Sequence, residues 1–146
     1  CTIRLIMGSR RKARILALQA LYSWDYTALN GKDLTKFEWL DEERRQKYDE
    51  DSLDFARLIV QGTLDNIDEI DAKIKEQLEH WDFNRLARVD LAILRFSIYA
   101  LLYQEEIPFS VTIDEAIDLA KQYGSSKSYS FVNGVLDGVR KQLAEK

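Results

Sequence analysis

Arg10, Arg11, Lys12 and Arg14 stand in the stretch SRRKARILALQALYSW (residues 9–24), directly ahead of an apolar stripe. All four are cationic at neutral pH, and arginine adds a planar fork of N–H donors that matches a phosphate. At helical spacing Arg10 and Arg14 share a face, with Arg11 and Lys12 flanking it. The stripe reads as a helix opening at Ser9, a residue type that favours the N-cap. Ile15, Leu18, Leu21 and Tyr22 recur on its apolar face, so the four cations are expected to lie beyond the core. Cations in a first helical turn oppose the helix dipole by about 0.3–1 kcal/mol each, a cost that an anionic partner would offset. The alternative is a basic end that only keeps the helix solvated.

The charge distribution favours a localised site. Residues 1–24 carry five basic residues (Arg4 is the fifth) and no acid, whereas residues 25–146 hold 16 basic and 25 acidic residues, a balance of −9. An acidic chain with one purely basic end meets polyanions through that end. The stretch from Glu38 to Asp54, with eight acids and three bases, is expected to be a solvated face.

Other chemistry finds little support. Nucleotide-binding, nucleophile-elbow and metalloprotease motifs are absent from the sequence. One His and one Cys exclude a disulfide framework and a Cys/His zinc cluster. His80, beside Trp81, reads as a packing or capping residue, and Cys1 lacks support as a nucleophile. Asp114 and Glu115 are explained by a position in a first helical turn. No enzyme activity, metal or cofactor is expected. Tyr22 and Phe131 are aromatic faces on which bases could stack, although the spacing of each also fits a core position. Asp90 precedes the most apolar run and pairs with Arg88 or Arg95, or else faces a partner protein. Asn133, Gly134 and Gly138 interrupt a helix, the glycines costing about 1 kcal/mol each relative to alanine, which suggests close backbone approach between helices.

Length and composition set the frame for these residues. The 146 residues, 46% apolar and 32% charged, are expected to fold as one helical domain over 9–146, with subunits of about 9–79 and 80–146. Residues 1–8 are expected to form a flexible extension, with Met7 the natural start; a lipid-anchored Cys1 is the disfavoured alternative. Six helical segments are predicted and no strand. They cover about Ser9–Leu29, stopped by Asn30-Gly31; Asp33–Tyr48, with Leu34, Phe37 and Leu40 inward; and Ser52–Glu79, striped by Val60, Thr63, Ile67, Ile70, Ile74 and Leu78. Arg85–Gln104 follows after a break at HWDFN (80–84), where Asp82 or Asn84 caps it, and from Leu91 its apolar surface marks it as the central buried helix. The fifth, in residues 111–124, opens on a Thr112/Glu115 capping box and closes on Gly124. The sixth, Lys127–Ala144, is expected to bury Phe131, Val132, Val135, Leu136, Val139 and Leu143. The class is all-α. No apolar run is long enough to cross a membrane, and the chain reads as cytoplasmic.

Three stretches together resemble one family, the bacterial antitermination factor NusB. They are SRRKARILALQALYSW, RLARVDLAILRFSIYAL, and IPFSVTIDEAIDLAKQYG followed by FVNGVLDGV. The resemblance implies six to seven helices in two packed three-helix units. It implies binding to boxA RNA of ribosomal RNA transcripts, in a heterodimer with the ribosomal protein NusE, and read-through by the RNA polymerase elongation complex. By position, the arginine-rich motif falls on Arg10, Arg11, Lys12 and Arg14, its tyrosine on Tyr22 and the later phenylalanine on Phe131. Asn84 matches a position near the RNA, and Asp90 one that faces NusE. The family's lysine before the phenylalanine is replaced here by Ser130, and Lys127, one turn earlier, would supply that charge. A homodimer, the NusB-like domain of a ribosomal RNA cytosine methyltransferase, and a helical protein–protein adaptor without RNA binding stand as alternatives.

Overall fold

A computed structural model describes residues 2–25, 31–79 and 82–144, with side chains from residue 10 in the first span and residue 34 in the second. The described residues are helical with no strand, so the all-α class is borne out. The chain forms two compact units, Cys1–Asp65 and Asn66–Lys146. The division therefore falls earlier than the expected one near residue 79. His80, Trp81 and Cys1, and the predicted helix end at Leu29–Asn30, lie outside the described residues.

In the first unit, α1 spans Thr2–Trp24, α2 Gly31–Lys36, α3 Glu42–Arg45 and α4 Glu50–Asp65. Helix α1 begins well before Ser9, so Ser9 lies inside it rather than capping it. TIRLIM contains no breaker, and a helix once nucleated propagates through Gly8 at a cost of only about 1 kcal/mol. The extension expected over residues 1–8 is thus helical backbone from Thr2. The predicted second helix is two short ones, because Phe37 adopts a left-handed backbone (φ 56°) that ends α2. Phe37 is nevertheless fully buried with Leu34 and Leu40, the three residues expected inward. Arg45 donates to the carbonyls of Lys36 and Phe37, and Arg57 to that of Thr35, satisfying the acceptors exposed where the helix stops. At the head of α4 the Ser52 N–H donates to Asp49 Oδ1 at 2.7 Å.

The second unit holds α5 (Ile67–Glu76), a 3₁₀ turn (Phe83–Arg85), α6 (Arg88–Tyr103), α7 (Phe109–Tyr123) and α8 (Ser128–Ala144). The predicted long third helix is broken at Asn66 (φ −118°, ψ 23°), a non-helical residue from which α5 restarts. An uninterrupted apolar stripe does not reveal such a break, since both halves keep their inward faces. Leu91 to Leu101 of α6 are all buried, as expected for the central helix. The Thr112/Glu115 capping box is not formed. Pro108, with its fixed φ and no N–H, already stands at the N-cap. Thr112 is left buried inside the first turn, its hydroxyl without a partner among the described residues. Gly124 does terminate α7, in extended rather than left-handed conformation. A Cβ there would collide with Ser128, whose Oγ accepts the Ser125 N–H at 2.9 Å on the way into α8.

Candidate nucleic-acid interface

Position along α1 changes the electrostatics expected of the basic cluster. Arg10 to Arg14 lie more than two turns inside a helix that starts at Thr2. The dipole acts within the first turn, so the expected penalty on these cations is absent. Arg10, Arg11 and Lys12 are exposed. Arg14 is not beyond the core as expected: it is 7% exposed. The face that Arg10 and Arg14 share packs against α4, where both converge on Phe55. The Arg10 guanidinium carbon stands 3.9 Å from the ring centroid and that of Arg14 5.5 Å. Among the described side chains of α1, the core face includes Ala13, Leu16, Ala17, Leu18, Ala20 and Leu21, while Ile15 is only half-buried. Tyr22, expected on the apolar face, is 39% exposed, which leaves much of its ring accessible.

Lys12 also acts on its surroundings. The Asp49 carboxyl is held below its ordinary value of 3.8, first by the hydrogen bonds from Ser52 and then by the Lys12 charge. The basic turn of α1 and the capped start of α4 are therefore within electrostatic reach of each other.

The second unit carries the other predicted residues. Lys127 is exposed immediately before α8, and the Phe131 N–H donates to its carbonyl at 3.2 Å, fixing the two one turn apart. Phe131 is half-buried rather than a core residue. It lines an open groove of ≈ 280 Å³ with Gln77, Leu78, Glu79, Ser130, Gly134 and Val135. The expected role of Gly134 in close helix approach is not found, because a Cβ there would point into open space. At Gly138 a Cβ would meet the Gln77 side-chain amide, the end of a flexible side chain and not the backbone of another helix.

Asn84 is exposed on the 3₁₀ turn, its N–H donating to Asp82 Oδ1 at 3.0 Å. Asp82 thus caps this turn rather than α6. Phe83 is covered by Lys75 (4.9 Å) and Arg95 (5.9 Å). Arg95 forms a two-pronged pair with Asp71, at 2.9 and 3.0 Å, tying α6 to α5. Arg95 thus finds a counter-charge in Asp71. Asp90 is 8% exposed in the first turn of α6, and its Oδ1 has no hydrogen-bond partner among the described residues.

Sequence reasoning missed Phe55, Gln77, Asp71 and Lys75. A signal existed for Asp71, because a charge inside an apolar helix such as Arg95 requires a counter-charge. Phe55 offered none, being one aromatic among several on a striped helix. Among the described residues no cluster of His, Cys, Asp or Glu could hold a metal ion, and no helix is long and apolar enough to cross a membrane.

Comparison with known proteins matches this architecture to one family. The NusB family model covers residues 11–141. The transcription antitermination protein NusB of Treponema pallidum (strain Nichols) is 48% identical over 132 residues, covering 90% of this chain and 92% of the relative. That of Geobacter sp. (strain M21) is 41% identical over 144 residues, covering 96% and 99%. Among solved structures, NusB of T. maritima superimposes with a TM-score of 0.78 at 39% identity, covering 91% of each chain. A chain from a complex of the antitermination factors NusB and NusE with double-stranded RNA gives 0.81 at 29% identity, covering 93% and 98%. The matches span both units, including the basic turn of α1 from Arg11 onward and the Lys127–Phe131 turn, and the chain belongs to the NusB family.

Proposed function

We propose that the chain binds boxA-type single-stranded RNA of ribosomal RNA transcripts, together with NusE, and promotes read-through by the RNA polymerase elongation complex. The observation that carries this reading is the exposed basic turn of α1, anchored on Phe55, in a chain that is otherwise acidic. Arg10, Arg11 and Lys12 meet phosphates, and Tyr22 offers a stacking face. Asn84, Lys127 and Phe131 add polar, cationic and aromatic contacts. Lys127 takes over the charge that Ser130 lacks. Arg14 supports the site from beneath rather than touching RNA. Asp90, a buried carboxylate in a helical first turn with one oxygen unpartnered among the described residues, suits donors from a partner protein, and NusE is that partner. The relatives of this chain are named for antitermination, a non-enzymatic role, and the proposed action is cytoplasmic.

Affinity is to be measured for boxA-type RNA, a scrambled strand and a duplex, with and without NusE, at two salt concentrations. Preferential boxA binding that tightens with NusE supports the reading. With about four phosphates neutralised, log K against log[salt] should slope near −3 on a single strand. Equal weak binding to all three RNAs would leave a protein–protein adaptor as the better description. Preference for the duplex would replace single-strand stacking by shape recognition.

A further inference from the structure

We propose that Phe55 is a positioning residue for RNA binding: its ring holds the exposed Arg10 guanidinium in place for a phosphate. The inference rests on the RNA reading of α1. Phe55 is 6% exposed, in the first half of α4, and two cations converge on it. Arg14 is buried, so its contact is part of the core. Arg10 is exposed and fills no core space, yet it lies at face-contact distance from the same ring.

The manner of anchoring matters. Other arginines of this unit donate N–H groups to protein acceptors: Arg44 to Gln19 at 2.7 Å, Arg45 to the Lys36 carbonyl, and Arg57 to Asp54 at 2.8 Å. Such bonds occupy the fork, and a carboxylate also neutralises the charge. An aromatic face attracts the cation through its quadrupole and leaves the N–H edges available. It also narrows the rotamers of a long side chain before the ligand arrives, reducing the entropy lost on binding. Phe55 acts through Arg10 and need not touch RNA.

The test is a double-mutant cycle on the full chain, with a labelled boxA-type RNA as probe. Arg10→Ala should weaken binding and make the salt slope shallower by about 0.7. Phe55→Leu should weaken binding about two- to five-fold when Arg10 is present. In the Arg10→Ala background it should have no effect, and Phe55→Tyr, which keeps the ring, should retain affinity. An equal loss from Phe55→Leu in both backgrounds would make the ring a general structural element and overturn the proposal. Unchanged affinity on Arg10→Ala would overturn the RNA reading of α1 itself. Should leucine at position 55 prevent folding, the Arg10 Nε–H proton of the unsubstituted protein gives a second readout. An upfield ring-current shift supports the stacked geometry, and its absence overturns it.

Discussion

The two regions that carry the predicted contacts are built in opposite ways. On α1 the cations sit in the middle of a long helix, and one face of the cluster is sunk against α4 through Arg14 and Phe55. Beside α8 the cation stands at the helix start, the aromatic is half-buried, and Gly134 leaves the groove wall open. The first arrangement fixes its charges through the core. The second keeps space at the cost of helix stability. Pre-ordered charge suits the repeating phosphate backbone, whereas open space beside an aromatic suits a flat base.

Substitutions can break this contrast, beginning with the largest effect. Asp71→Ala removes the partner of buried Arg95 and should lower the stability of the chain by about 3 kcal/mol in urea denaturation. A loss below about 0.5 kcal/mol would mean that the seat of the 3₁₀ turn does not depend on that pair. Arg14→Ala should cost about 1–3 kcal/mol through lost packing and an emptied site, while Arg10→Ala should stay within about 0.5 kcal/mol. Equal costs would erase the distinction between buried anchor and exposed ligand.

Gly134→Ala sharpens the other side of the comparison. Because nothing opposes a Cβ there, the helix should gain about 0.5–1 kcal/mol, read as a higher Tm. RNA affinity should fall if the groove receives a base, and a more stable variant with unchanged affinity would remove the groove from the interface. The smallest effect concerns pH. The Asp49 carboxyl lies below 3.8 when folded, so its contribution is present above the unfolded value and lost as pH falls through the folded one. Thermal melts of the protein and of Asp49→Asn, which keeps an acceptor but cannot ionise, should converge below that range.

Several positions are legible in the sequence for reasons that can be named. The burial of α6 followed from an apolar run too continuous for a surface helix. Leu34, Phe37 and Leu40 face inward as their spacing requires although the helix expected to carry them breaks at Phe37, because spacing constrains facing even where the backbone departs from a continuous helix. The Thr112 cap failed because two start signals, Pro108 and Thr112, stand four residues apart and only one can open α7. Gly134 and Gly138 look alike in sequence, one full turn apart, yet only Gly138 lies under another side chain.

The sequence alone determined the helical class, the concentration of cations in residues 1–24 and the family, since these depend on residue type and on neighbours a few positions away. Only the tertiary structure decided that Arg14 is buried while Arg10 is exposed, that Phe55 receives both, that Arg95 pairs with Asp71, and that Asp90 Oδ1 is buried without a partner among the described residues. Each of those outcomes depends on which residue of a distant helix comes to lie opposite. Helical periodicity states which side chains share a face, and packing decides what that face meets.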